Sequence, residues 1–188
     1  MMKKVTWLGL GLMMVAAMLL ASCSTSTTTT TAAGPVVLTV TNGSSVKTYS
    51  LAALQALTST TGNGGMMGKG GAVTGPFSYK GVALKTLLNA VGGVTSGQSV
   101  TLTGSDGYTK TLTYDQITSG GFSMYDTSGN SVTPTIAPEL TVVYSQNGAA
   151  LDSSTGPLEL GLLSSQNLVS AGNMWVKLLV KIDVVAAQ

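Results

Sequence analysis

Ser99-Val100-Thr101-Leu102-Thr103-Gly104-Ser105-Asp106-Gly107-Tyr108-Thr109-Lys110-Thr111-Leu112-Thr113 decides the fold class. Its apolar residues alternate with threonines on both sides of Ser105-Asp106-Gly107. Alternation with a period of two is the pattern of a strand with one dry and one wet face. Asp-Gly between two such runs is a hairpin signal, because glycine takes positive φ without a β-carbon in the way. We therefore read strands over Ser99–Thr103 and Tyr108–Thr113, with the Tyr108 ring available to the core.

The same pattern continues outward. Phe122–Tyr125, Leu140–Ser145, Pro157–Leu162 and Trp175–Val185 read as strands separated by Gly, Asn and Ser turns. Upstream, Val36–Thr41 is a strand ending at the turn dipeptide Asn42-Gly43, and Phe77–Lys80 is another. Helical spacing is confined to short stretches. Leu51, Leu54 and Leu57 follow Ser50, a good N-cap, and Ala83–Val91 forms a second helix stopped by Gly92-Gly93. Thr58–Gly75, rich in glycine, reads as a surface loop. The expectation is a sheet-dominated α+β domain with two or three short helices, spanning 36–188.

The first 35 residues have a different character. Lys3 and Lys4 precede an apolar run from Val5 to Leu20, then Leu20-Ala21-Ser22-Cys23. That is a bacterial export signal ending in a lipobox, with residues 1–22 removed and Cys23 acylated. Cys23 is the sole cysteine, so the chain cannot form an internal disulfide. Residues 24–35 read as a Ser/Thr-rich tether, too polar and simple to fold, reaching about 40 Å when extended. The expected location is the cell envelope, with the membrane contacted through the lipid. Ser24, where an aspartate would signal inner-membrane retention, favours the outer membrane.

Charge and composition exclude several function classes. All nine cations are lysines, and two lie in the signal; the seven remaining balance seven acids. Nucleic acid needs a basic footprint, which a neutral mature chain lacks. The sequence has no histidine and no arginine, so Ser-His-Asp and Cys-His catalysis, histidine metal sites and bidentate arginine clamps are ruled out. Gly62–Gly71 fails the spacing of a phosphate loop, and Gly68-Lys69 lacks the Ser/Thr that should follow. Met66 and Met67 are soft thioethers suited to Cu(I), a weak signal without a histidine or cysteine beside them.

Read in order, the motifs resemble the molybdopterin-binding domain of the sulfite oxidase family. They are Leu38-Thr39-Val40-Thr41, the helix at Leu51–Leu57, and Tyr79-Lys80-Gly81-Val82-Ala83-Leu84-Lys85-Thr86-Leu87-Leu88. Ser105-Asp106-Gly107-Tyr108, Val143-Tyr144-Ser145-Gln146-Asn147-Gly148, Gly156-Pro157-Leu158-Glu159-Leu160 and Trp175–Ile182 complete the series. The resemblance implies the family's fold and a ligand face at Thr60, Asn63, Lys69, Asp106, Tyr108 and Glu159. It also exposes departures. Thr60-Thr61-Gly62-Asn63 stands where the family has Cys-x-Gly-Asn, so a hydroxyl replaces the metal-ligating thiolate. Glu159 occupies the place of an arginine, and Thr155 that of a histidine. The expectation is a cofactor-free module without catalytic or metal-binding residues, binding a small ligand or another envelope protein. The alternatives are a molybdopterin-dependent oxidoreductase with altered ligation and a structural envelope lipoprotein.

Overall fold

The computed structural model describes residues 29–31 and 34–187. Cys23 and the signal segment lie outside the described residues. Two sheets dominate, joined by three short helices. In chain order the elements are β1 Thr29–Thr31, β2 Val36–Asn42, β3 Ser45–Ser50, α1 Leu51–Gln55, β4 Thr60–Met67, β5 Val73–Ala83, α2 Leu84–Asn89, β6 Gln98–Gly104, β7 Thr109–Thr113 and α3 Tyr114–Ser119. They continue with β8 Met124–Tyr125, β9 Ser131–Val132, β10 Glu139–Gln146, β11 Ala149–Ala150, β12 Glu159–Leu163, β13 Val169–Ala171, a 3₁₀ turn at Gly172–Met174, and β14 Leu179–Ala186.

The first sheet has six strands in the order β1-β3-β2-β14-β6-β7. Its inner face follows from the alternation: Leu38, Val40, Val100, Leu102, Leu112 and Ile182 are all fully buried. Each buried leucine of this kind contributes about 1.5–3 kcal/mol. The threonines between them face outward, where Thr101 and Thr111 meet across the hairpin with their hydroxyls 3.3 Å apart. On the same outer face Asp183 accepts a hydrogen bond from Thr41 and pairs with Lys181 at 2.9 Å.

The second sheet is differently built. β4 pairs with β5, β5 with β10, and β10 with β12, all antiparallel. Asn63 of β4 and Ser164, just beyond β12, then exchange both backbone hydrogen bonds at 2.7 and 2.8 Å. Hydrogen bonding therefore runs in a closed circuit through these four strands, a small barrel. Farther along β4, β13 runs parallel to it at Met66 and Met67, and β8 and β9 extend that edge.

Of the helices, α1 touches both sheets, α2 the second and α3 the first. In α1 the Ser50 hydroxyl accepts from the Ala53 amide at 3.2 Å, the expected N-cap. Its helix ends at Gln55, two residues before Leu57. In α2, which packs on β5 and β10, Leu84, Leu87 and Leu88 are buried, and Gly92 and Gly93 follow at positive φ. The third helix, α3, begins with a capping box in which Thr113 and Gln116 bond each other's backbone amides.

Three expectations are corrected. The stretch Thr58–Gly75 is not a surface loop: Thr60–Met67 and Val73–Ala83 form a hairpin closed by Gly68–Ala72. The glycines within its strands are there because neighbours press on the backbone. A β-carbon on Gly64 would lie 3.0 Å from both Leu163 and Trp175, and one on Gly65 would overlap the Thr74 carbonyl. Second, Thr29–Thr31, within the stretch read as an unfolded tether, pair in parallel with Lys47–Tyr49. An open sheet edge offers unpaired amides and carbonyls, and threonine suits the extended backbone. Third, Trp175–Lys177 does not join β14 in one strand. The chain makes a 3₁₀ turn, bridges once to β12 at Val176, and turns again at Leu178, whose φ is +51°.

Candidate functional site

A cavity of about 660 Å³ opens at one end of the molecule, where the β6–β7 turn, the β4–β5 turn and residues 171–177 converge. Its apolar wall is Met66, Met67 and Trp175; its polar groups are Lys69, Lys177, Asp106, Tyr108 and Asn173. Each is placed by a local rule. Parallel pairing of β13 with β4 sets Ala171 beside Met67, and Gly172 follows next to the Met67 carbonyl. The β4–β5 turn is closed by Gly68 N–H to Ala72 O and Gly71 N–H to Gly68 O, both 2.9 Å, and carries Lys69 to the rim.

The β6–β7 turn supplies the opposite wall. Gly107 has φ of +85°, as its turn type demands, and Asp106 Oδ1 accepts the Tyr108 amide at 3.0 Å. Ser105 N–H donates to the Leu178 carbonyl at 2.8 Å, which ties the turn to the segment carrying Trp175 and Lys177. Tyr108 is not a core residue: at 42% exposure its ring stands in the cavity, with the hydroxyl 3.5 Å from the Asn173 carbonyl.

Trp175 forms the floor. It is 3% exposed, its indole N–H donates to Ser170 Oγ at 2.9 Å, and its ring lies 5.1 Å from that of Tyr79 at an angle of 48°. Gly64 and Gly161 make the slot it fills; a β-carbon on Gly161 would sit 2.6 Å from the indole. That Trp175, Met66 and Met67 share one wall is not legible from the residues, because the glycine-rich run conceals the strand that carries the methionines.

Of the six residues on the expected ligand face, three converge and three do not. Lys69, Asp106 and Tyr108 line the cavity. Thr60 sits at the far end of β4, paired with Gly81, and Asn63 donates to Asn167 Oδ1 at 2.9 Å on the outside of the barrel. Glu159 is 1% exposed inside the barrel and lines no part of the cavity. Its Oε1 is the one buried side-chain polar atom without a hydrogen-bond partner among the described residues. Burial pushes this carboxyl up to about 7, opposed by the Lys177 ammonium and reinforced by Asp152. Tyr79 is pushed upward too, by burial and then by Glu159.

These placements do not fit a molybdopterin. Thr60 lies at the opposite end of β4 from Lys69 and the cavity, its hydroxyl is a poor metal ligand, and Glu159, in the family's arginine position, is a buried carboxyl and not a cation for a phosphate. Among the described residues no cluster of His, Cys, Asp or Glu could hold a metal ion, and no helix is long and apolar enough to cross a membrane. The sequence matches no model of a known family and no curated protein.

Proposed function

We propose that this chain is an envelope lipoprotein, anchored through Cys23, whose sulfite-oxidase-like domain is a non-catalytic binding module. The observation that carries the binding role is the cavity, with Met66, Met67 and Trp175 on one side and the ammonium groups of Lys69 and Lys177 at its rim. A floor of thioether and indole suits a flat apolar body, since sulfur and π-faces both pack well on rings. Two lysines against one acid, with Asp106 already occupied by a backbone amide, suit a single anionic group on that body.

Naphthalene-2-sulfonate, anionic at all ordinary pH, has this shape and charge. Calorimetric titration into the purified protein should give one site, weakened at least tenfold in Trp175→Ala and several-fold in Lys69→Met. No saturable binding, or equal binding by both variants, would remove the cavity from the argument. The anchor is tested separately by mass spectrometry: the protein should begin at an acylated Cys23, and Cys23→Ser should stay unprocessed. Stoichiometric molybdenum retained through gel filtration would restore the oxidoreductase in place of the binding module.

A further inference from the structure

The bridge between β12 and the segment before β14 explains what surrounds Glu159. Leu160 and Val176 exchange backbone hydrogen bonds of 2.9 and 3.2 Å in antiparallel sense. That register sets Gly161 opposite Trp175; on the other side it slips by one residue, Leu179 N–H donating to the Leu158 carbonyl, and Lys177 stands at the slip, where its charge acts on Glu159. Residues opposed in this way share a face. The contact of Gly161 with the indole bears this out, so Glu159 lies next to the floor of the cavity on its hidden side. The titratable or charged groups that reach the carboxyl are Lys177 at the slip, Asp152 from the loop before β12, and Tyr79 from β5.

Lys177 is exposed and turned to the cavity. The one ion pair within 4.0 Å among the described residues is Lys181 with Asp183, so Lys177 and Glu159 are near each other but unpaired. We propose that Glu159 and Lys177 form a proton-governed latch on the cavity. With the carboxyl protonated, the Lys177 ammonium stays at the rim and serves an anionic ligand. When the carboxyl gives its proton to solvent, the ammonium swings to the carboxylate and the cavity loses a cation.

Two physical points support the swing. A buried carboxylate without a partner costs several kcal/mol, and the flexible four-carbon stem of Lys177, the cation that acts on this carboxyl, is the source of relief. The carboxyl is poised to change state near neutrality, because burial raises it that far against the pull of Lys177. The consequence for ligand affinity rests on the binding role proposed above; the pairing itself does not.

The test follows the carboxyl carbon of Glu159 and the ε-carbon of Lys177 by NMR in the full-length chain, with naphthalene-2-sulfonate titrations at pH 5.5 and 8.5. Both carbons should move with one midpoint, and the sulfonate should bind about tenfold more weakly at pH 8.5, as expected for one lost charge-assisted contact. Glu159→Gln should bind tightly at both pH values, and Lys177→Met weakly at both. Titration of Glu159 with Lys177 unmoved would overturn the latch, as would a pH dependence that persists in Glu159→Gln. Coupled titration without sulfonate binding at either pH would uphold the latch and sink the ligand reading.

Discussion

The hairpins β6–β7 and β4–β5 are made by the same backbone rule, yet their sequences look unrelated. In β6–β7 one face meets the core and the other meets water, so Val100, Leu102 and Leu112 alternate with threonines. In β4–β5 the outer face carries Thr61, Asn63, Ser78 and Lys80, while the inner face is filled by groups from other elements. Gly62 lies against Leu163 and Ser164, Gly64 against the Trp175 indole, and Gly81 against the backbone of β10. Side chains are missing because other groups fill their space. Alternation marks a strand at a wet surface; in this protein a run of glycines marks one at a crowded joint.

The largest effect should come from filling that joint. A β-carbon on Gly81 would overlap the Val142 carbonyl and lie 2.6 Å from Val143 Cα, and neither atom can yield without breaking the β5–β10 ladder. Gly81→Ala should lower unfolding free energy by about 3 kcal/mol, read as an earlier urea midpoint at unchanged slope. A loss under about 0.5 kcal/mol, the range of surface changes, would show that the glycines do not mark close packing.

The barrel also holds a buried acid, which the six-stranded sheet does not. Glu159 is raised on folding from its ordinary 4.5 to about 7. Its contribution is therefore complete below about 4.5 and falls away as pH rises through 7. Wild type should lose about 1–3 kcal/mol between pH 4.5 and 8, less where Lys177 compensates, and Glu159→Gln should lose much less. Parallel pH profiles for the two proteins would remove Glu159 as the cause.

The smallest effect belongs to the alternating hairpin. Gly107 has φ of +85° but nothing within 4 Å of a β-carbon, so only backbone strain opposes a side chain. Gly107→Val should cost about 1 kcal/mol, well below Gly81→Ala. If the order of the two were reversed, conformation and not space would be what the glycines serve.

The same contrast explains what could be read from residues alone. Strands with one wet face, the Ser50 cap and the Asp106-Gly107 turn were legible because their causes are local. The helix α3 was legible in principle, since Thr113-x-x-Gln116 announces its capping box, but its three turn-like residues Thr118, Ser119 and Gly120 mask it. β4 was not legible, because what fixes it is Trp175 and Leu163, a hundred residues away. Of the six residues that the resemblance set on one ligand face, Lys69, Asp106 and Tyr108 stand on turns that converge at the cavity, while the closed barrel sets Thr60, Asn63 and Glu159 elsewhere.

The parallel pairing of β1 with β3 has a mechanical meaning. Thr29 is in register with Lys47, near the β2–β3 turn, which is the end of the sheet where β14 finishes and β6 begins. On the lipoprotein reading proposed above, the pairing of Thr29 leaves six residue steps back to Cys23, a reach of at most about 20 Å in place of 40. The cavity is at the other end, by the β6–β7 turn and the start of β14, roughly the 25 Å length of an eight-residue strand away. On that same reading, so short a reach keeps the β2–β3 end of the sheet next to the bilayer and leaves the cavity on the side away from it.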